Sequence, residues 1–523
     1  MASLQPRRVR GHTYWHIVES RRVNGKPRPV PIAYLGKADD LLARLMRADA
    51  LEIRSRSHGA VAAVWAMAGA LDLPGTIDRH LQEVGRRRRL GMGKHQAQPV
   101  RNDGLSVGQS LTLAAVGRAC HATSKRGFAE WAATTTLGEM AGVKDVGRLT
   151  SQHFWDQMDQ VPIDSIAPME REIVGRVLEQ FALPVDTLLF DATNFFTFIA
   201  STNKRATLPA RGHNKQKRDD LRQVGVALLC TRHGGIPLWH QTYGGQVADS
   251  KSFADVLPAF RQRLVELGRQ IESLTLVYDK GNVSRGNQER VDASKLHYVT
   301  GVTAASQAEL VRQANPQLAD VVLDNGETVQ AFRTTRKIWG IERTAVVLLS
   351  ERLRQGQMRG ILQHVASTER WLSSLQETLQ RGTQRRDRAR IQRDIETRLH
   401  GRQRLNDVLH VELSGEDPHL RLAYHFDQQA FETLANESLG RIVLITDQAG
   451  WSTAEIIDVY HGQSGIEAIF AHLKDPMHLA LRPQFHWTDQ KLHVHVFTCI
   501  LGYLLSRAVF LRACTIREFN ALW

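Results

Sequence analysis

Three acidic residues, far apart in the chain, stand where they could do chemistry. Asp191 ends the apolar run 185–190, Asp279 ends the run 274–278 with Gly281 just behind it, and Glu467 lies within residues 460–474. Carboxylates on stiff mounts suit metal-assisted phosphoryl transfer, in which acidic side chains hold two divalent ions ~3.5–4 Å apart. One ion activates a water or a 3′-hydroxyl, and the other stabilises the leaving oxygen. Magnesium takes oxygen ligands and keeps several of its waters, so three carboxylates suffice. A strand end is a rigid mount for such ligands. Each acid alone is explained as well by turn chemistry, because an Asp close to Gly commonly serves a turn. The order Asp, Asp, Glu on strand, strand and helix is what points to one shared site.

The stretch that carries the third acid, YHGQSGIEAIFAHLK, reads as a single amphipathic helix. At ~100° per residue, Tyr460, Gln463, Glu467 and Lys474 fall in one sector roughly 60° wide. Ile466, Ile469, Phe470 and Leu473 fill the next sector, so an apolar stripe is bordered by a polar row. Taken alone, such a row is equally a solvated helix edge.

The elements that must position these residues follow in chain order. Residues 12–36 predict a β-hairpin turning at Asn24-Gly25, with prolines at 27, 29 and 31 suited to an edge strand. Its Lys26 and Arg28 allow a phosphate contact, and a plain structural hairpin explains them as well. From Asp39 to about Gln180 the pattern is helical, with caps at Ser106 and Ser151. The intervening basic stretch 85–104 reads either as a phosphate-contacting loop or as a solvated one. From Leu183 the texture becomes strand-like: 185–190, a hairpin of 222–230 and 236–243 around His233-Gly234-Gly235, a helix at 250–271, then strands at 274–278 and 296–302. Strands and crossover helices in this order describe a mixed sheet. A long interruption follows, with short strands at 321–323, 329–333 and 345–349. Residues 351–410 read as a helical hairpin broken near Gly382, before strands at 420–426 and 441–446. Trp339 and the histidines 486, 493 and 495 read as packing or helix-surface residues.

The bulk numbers bound the function. A chain of 523 residues with 42% hydrophobic and 23% charged residues is long enough for several cores. Lys plus Arg outnumber Asp plus Glu by 68 to 54, a net charge of +14 that favours a polyanionic partner, nucleic acid before membrane. Four cysteines without a CxxC pair indicate neither a disulfide framework nor a thiolate zinc site, which fits a reducing compartment. The first residues lack the apolar core of a signal peptide. The longest apolar run, 496–505, is too short to span a bilayer, so it predicts a core helix in a cytoplasmic protein without a membrane partner.

These residues together resemble the bacterial insertion-sequence transposases of the DDE type, in the insertion sequence 4 group, closest to the insertion sequence 1634 branch. That group carries Tyr, Arg, Glu and Lys separated by two, three and six residues, and Tyr460, Glu467 and Lys474 match at those spacings. FDATNFF around Asp191 resembles the first-aspartate strand, VYDKGNVS around Asp279 the second-aspartate motif, and RGHNKQKRDDLRQV at 211–224 the basic segment between them. Tyr34-Leu35-Gly36 is similar to the family's opening segment, so the resemblance runs over nearly the whole chain. One position departs: Gln463 stands where the family has arginine, replacing a charged bidentate phosphate contact with a neutral one.

The resemblance implies an α/β fold with an RNase H-like core, a mixed five-stranded sheet with helices. It is interrupted by an insertion of strands and a helical hairpin, and preceded by a mainly helical region with a β-hairpin. The expected regions are an arm at 1–40, a helical DNA-binding or dimerisation region at 41–180, core at 181–302, insertion at 303–439, and core again at 440–523. Asp191, Asp279 and Glu467 would be catalytic and would hold two Mg²⁺ or Mn²⁺ ions. Tyr460, Gln463, Lys474, Lys215, Lys217 and Arg218 would contact DNA. The implied partners are double-stranded DNA, as terminal inverted repeats and target, and a second copy of the chain in a homodimer on DNA. The implied setting is the bacterial cytoplasm, at the nucleoid when DNA is bound. Two alternatives stay open: a nuclease of the same fold without strand transfer, and a catalytically silent DNA-binding descendant.

Overall fold

The computed structural model describes residues 2–23, 26–46, 55–87, 104–200, 202–212, 214, 218, 220–247, 249–381, 387–400, 404–416, 419–482 and 484–521. The chain divides into two compact units, Met1–Ser57 and His58–Trp523.

The first unit is an antiparallel sheet of β1 (Ala2–Val9), β2 (His12–Val23) and β3 (Lys26–Lys37), followed by helix α1 (Ala38–Met46). The expected hairpin corresponds to β2 and β3, and its Asn24-Gly25 turn lies outside the described residues. β1 gives no sequence signal, because every residue of it is exposed and only backbone pairing to β2 defines it. With no buried face there is no alternation to read. β3 is an edge strand, where its three prolines cost no ladder bond.

The second unit opens with helices α2 (Gly59–Ala70), α3 (Leu73–Arg87), α4 (Val107–Cys120), α5 (Phe128–Ala133), α6 (Leu137–Met140), α7 (Ser151–Asp159) and α8 (Ile163–Gln180). Ser106 starts α4 through a reciprocal capping box with Gln109, closed by contacts of 3.0 and 2.9 Å. The cap of α7 is Thr150 rather than Ser151: its hydroxyl accepts from the His153 N–H.

A nine-stranded sheet then forms from β4 (Thr187–Thr197), β5 (Arg222–Thr231), β6 (Pro237–Gly244), β7 (Thr275–Tyr278), β8 (His297–Val302), β9 (Ala319–Val322), β10 (Thr328–Ile338), β11 (Ile341–Leu349) and β14 (Arg441–Thr446). Helices α9 (Asp249–Glu266), α10 (Arg285–Ser294) and α11 (Ala308–Ala314) are crossovers and connectors within it. The spatial order is β6-β5-β4-β7-β8-β14-β11-β10-β9. β7 and β8 run parallel to β4, whereas β5 and β6 form antiparallel neighbours on its other side. The sheet is therefore wider than the five strands expected. β14 pairs antiparallel with both β8 and β11, and so joins β9–β11 to the same sheet. The reason is burial: β11 carries six consecutive buried residues, Arg343 to Leu348, and needs cover on both faces.

Helices α12 (Glu351–Gln380), α13 (Arg388–His400) and α14 (Gln428–Glu437) with the hairpin of β12 (Leu409–Ser414) and β13 (Arg421–Phe426) share a separate core, including Leu372, Ile395, Leu405 and Phe431. The chain ends in α15 (Thr453–His461), α16 (Ser464–Lys474) and α17 (Asp489–Ala521). α17 is far longer than the apolar run at 496–505, because its polar first turns and basic later turns flank that run. By length and composition it equals a membrane span, yet 72% of its apolar window is buried inside the protein. Phe497 and Leu501 join the core under α2–α8, and Val496 and Ile500 join the core on the other face of the sheet.

Candidate active site

Alternation along β4 sorts its residues between the two faces of the sheet. Leu188, Phe190 and Ala192 join the core beneath the helical region, while Leu189 and Phe195 join the opposite core. Asp191 and Thr193 therefore face the second side. β4 runs six residues past Asp191, so this aspartate is held within the strand and not at its end as its apolar run suggested. Its Oδ1 accepts from the Ala192 N–H at 2.8 Å. In the parallel ladder, Phe190 is level with Tyr278, and Tyr278 with Thr300. Asp279 follows Tyr278 in extended conformation and keeps the alternation of Val277, which faces the second side. Asp191, Asp279 and Gly301 are thus consecutive across adjacent parallel strands on one face, with strands ~4.8 Å apart.

The second side is covered by α15 and α16. Residues 460–474 are not one helix: α15 stops at His461, and α16 starts at Ser464 after a tight turn at Gly462 and Gln463. Two glycines within four residues weaken the helix here. The angular row drawn for a continuous helix consequently breaks. Gln463 becomes the N-cap of α16 and is buried, with 8% exposure and no hydrogen bond to its Nε2. It lies in the turn between the two helices and not in one row with Glu467.

Tyr460, on α15, stands directly over Gly301: a Cβ on that glycine would lie 2.7 Å from the tyrosine hydroxyl. Burial first, and then the negative charges of Asp279 and Glu467, push the Tyr460 hydroxyl well above its ordinary range. One hydroxyl thus feels both carboxylates. α16 docks through Ile466, Ile469, Phe470 and Leu473, all buried. At roughly 1.5–3 kcal/mol per buried apolar side chain, this is a firm attachment. Gly465 lies against Leu189, the Phe470 ring is 6.5 Å from Phe195, and Lys474 Nζ donates to Thr193 Oγ1 at 2.5 Å. α16 therefore runs alongside β4 in the same direction. The nine helical steps from Gly465 to Lys474 and the four strand steps from Leu189 to Thr193 each cover about 13 Å. Glu467, exposed on the helix edge, falls between these markers.

Lys215 and Lys217 lie outside the described residues, and Arg218 forms a two-pronged pair with Asp220 at 2.8 Å on both prongs. The segment after β4 is tied down near the start of α17, where Asp489 accepts from the Thr207 and Leu208 N–H groups. As a donor set, three carboxylates suit a hard divalent cation. No trio of His, Cys, Asp or Glu side chains among the described residues is drawn to common coordination distance.

A groove of about 1250 Å³ opens from Asp279, Lys280, Gly301 and Tyr460 toward the third core. Its far wall is one face of α12, where Arg352, Gly356, Gly360 and His364 recur every four residues. The sequence signals for Thr193, Gly301 and Lys280 were present: Thr193 is two residues beyond Asp191 on the same face, and Gly301 interrupts an otherwise bulky strand. The α12 wall had no such signal, because its arginines read equally as a solvated helix face.

The sheet, its crossovers and this carboxylate-bearing face define an α/β protein of the transposase class. The family model described as "Transposase DDE domain" matches residues 186–505, and the chain belongs to that family. Among solved structures, the chain is similar to the piggyBac transposase in a synaptic complex with hairpin DNA, seen by cryo-electron microscopy. Identity is 9%, covering 84% of this chain and 76% of that one, with a TM-score of 0.38. No curated protein matches. The match at 186–505 spans β4 to α17 and thus contains Asp191, Asp279 and Glu467.

Proposed function

We propose that this protein cuts DNA at the ends of its own mobile element and joins the freed 3′ ends to target DNA, as a transposase of the insertion sequence 4 group. The observation that carries this reading is that Asp191 and Asp279 stand side by side on one face of the parallel strands β4 and β7, with the Tyr460 hydroxyl over Gly301 of the next strand and within the field of both Asp279 and Glu467. The five strands β6-β5-β4-β7-β8, in that order and with those directions, support an RNase H-like core. Asp191, Asp279 and Glu467 would hold Mg²⁺ or Mn²⁺, which, when bound, lowers the barrier to nucleophile activation and leaving-oxygen departure.

The chain's own groups do the positioning. Lys474, anchored on Thr193, presents positive charge one strand step beyond Asp191, where a scissile phosphate needs it. Burial and the neighbouring carboxylates favour the protonated Tyr460 hydroxyl, which would donate to a phosphate oxygen. The groove along α12 gives the DNA strand room beside Asp279, with Lys280 and Arg352 along its walls. Residues 41–180 would recognise the ends or join two copies, since paired cutting needs two protomers, acting at the nucleoid in the cytoplasm.

The test is a cleavage and strand-transfer assay with Mg²⁺ on DNA carrying the element's ends. Wild type should nick and join, and Asp279→Ala should do neither. Nicking without joining would make the protein a nuclease of the same fold. Equal products from wild type and Asp279→Ala would remove the metal site from the mechanism.

A further inference from the structure

A second cleft, of about 570 Å³, lies on the opposite side of α16 from Glu467. Gly465, Ala468, Ile469 and His472 line it, and at ~100° per residue these point away from Glu467 and Lys474. Three arginines from three elements converge there: Arg118 at the end of α4, Arg232 just after β5, and Arg507 on α17. Arg118 gives one hydrogen bond to the Ala480 carbonyl at 3.2 Å, and Arg507 one to the Gly234 carbonyl at 2.7 Å. Arg232 forms no side-chain hydrogen bond or ion pair among the described residues. No Asp or Glu lines the cleft among the described residues; Asp475 stands behind the rim, 2.7 Å from His478 Nδ1.

Three half-buried guanidiniums sharing one cavity without a carboxylate repel one another unless an anion joins them. A further basic side chain lies next to the cleft. The Lys125 ammonium is directed inward, 3.4 Å from both His486 Nε2 and His495 Nδ1, and it shares a small adjoining cavity with Arg118. The rest of the lining includes the apolar Leu189, Ile469, Leu479 and Tyr503, with Ile469 and Tyr503 close to Arg507 around Gly235. At the mouth, the exposed His472 and His478 rings meet edge to face at 5.3 Å, and His121 stands exposed beside them. A cavity of a few hundred Å³ that combines apolar lining with three guanidiniums matches a ligand with a flat apolar part and a phosphate.

We propose that this cleft binds a nucleoside phosphate unit, its base against the apolar lining residues and its phosphate on Arg118, Arg232 and Arg507. The unit is either an unpaired nucleotide of a DNA strand or a free nucleotide. This site is separate from the carboxylates and does not depend on strand cutting.

The test uses the full-length Asp279→Ala protein, so that no DNA is consumed, with two probes: a 5′-phosphorylated single-stranded oligonucleotide and ATP. Each is titrated by fluorescence anisotropy or calorimetry. Arg232→Gln, at a side chain with no hydrogen-bond or ion-pair partner among the described residues, should weaken binding by about 10-fold through loss of a charge-assisted contact. Ala468→Phe, on an exposed helix position, should block the cleft by bulk without changing any charge. Tighter binding of the oligonucleotide than of ATP places the occupant on a DNA strand, and the reverse makes it a free nucleotide. Binding of both probes that ignores both substitutions would overturn the proposal, as would no binding at all. Cutting activity in the parent protein is scored separately, so failure of one reading leaves the other standing.

Discussion

Gly301→Ala is the most informative single substitution, because the structure assigns its effect to one neighbour. Gly301 lies in β8 without a positive φ, so alanine meets no backbone strain and gains about 0.5–1 kcal/mol in strand propensity. Its Cβ, however, would stand 2.7 Å from the Tyr460 hydroxyl, 3.3 Å from its Cζ and 3.5 Å from its Cε2. Clashes of that kind in a packed core cost roughly 1–3 kcal/mol, so Gly301→Ala should be destabilising by about 1 kcal/mol net. Tyr460 must move by something under 1 Å to relieve the clash, and misplacement of that order at a reacting centre costs up to about 10²-fold in rate. In a Tyr460→Phe background the worst contact is gone and the 3.3 Å contact needs only a slight shift. The double variant should therefore recover most of the lost stability, a coupling of about 1 kcal/mol in urea unfolding, while cutting stays low. If Gly301→Ala costs the same with tyrosine or phenylalanine at 460, Tyr460 does not stand over Gly301, and the reasoning that places it between Asp279 and Glu467 fails.

The other predictions concern charge. Glu467→Gln should leave the melting temperature within about 1–2 °C of wild type, since the side chain is exposed, yet abolish Mg²⁺-dependent cutting; retained cutting would remove it from the site. Lys474→Met should lower DNA affinity and reduce the salt dependence of binding by about one ion, read as the slope of log K against log salt; an unchanged slope would refute the phosphate contact. Lys125 supplies a pH test. Burial, then the charge of Arg118, holds its ammonium down to about 7, against 10.5 for an ordinary lysine. Between these values the unfolded chain binds one more proton than the folded one, so stability rises with pH from about 7 to 10, by at most ~4 kcal/mol. Below about pH 7 both states are protonated and the destabilisation is complete. Lys125→Met should flatten this rise in urea unfolding across that range, and a rise that persists unchanged would show that another group causes it.

What the sequence makes legible follows from which physical signals are local. The runs before Asp191 and Asp279 are readable because strands covered on both faces must be apolar throughout, and β5, with nine buried residues in ten, is the extreme case. The apolar stripe of α16 is readable for the same reason. Register is not local: nothing in the residues around Asp191 states that Phe190 is level with Tyr278, and this pairing is what makes the two aspartates neighbours. The helix break at Gly462 and Gln463 is written in the glycines, but its consequence depends on packing. A continuous helix would have put Gln463 on the outer edge with Glu467, whereas the turn rotates it inward and leaves its amide Nε2 buried without a partner. The same turn lets Tyr460 lean over Gly301 while Glu467 stays on the exposed edge of α16. A guanidinium at 463 would resist burial far more than an amide. The arginine that the insertion sequence 4 transposases, which this segment resembles, carry at this spacing would need either a more open junction or an outward-turned side chain, and Gln463 is compatible with the closed one seen here. On that reasoning Gln463→Arg should loosen the α15–α16 junction, detectable as faster amide exchange at residues 462–467. Only if the freed arginine reaches phosphate should DNA binding tighten and its salt dependence steepen. Unchanged exchange together with unchanged affinity would show that the junction accommodates either side chain, and that its closure does not explain the departure.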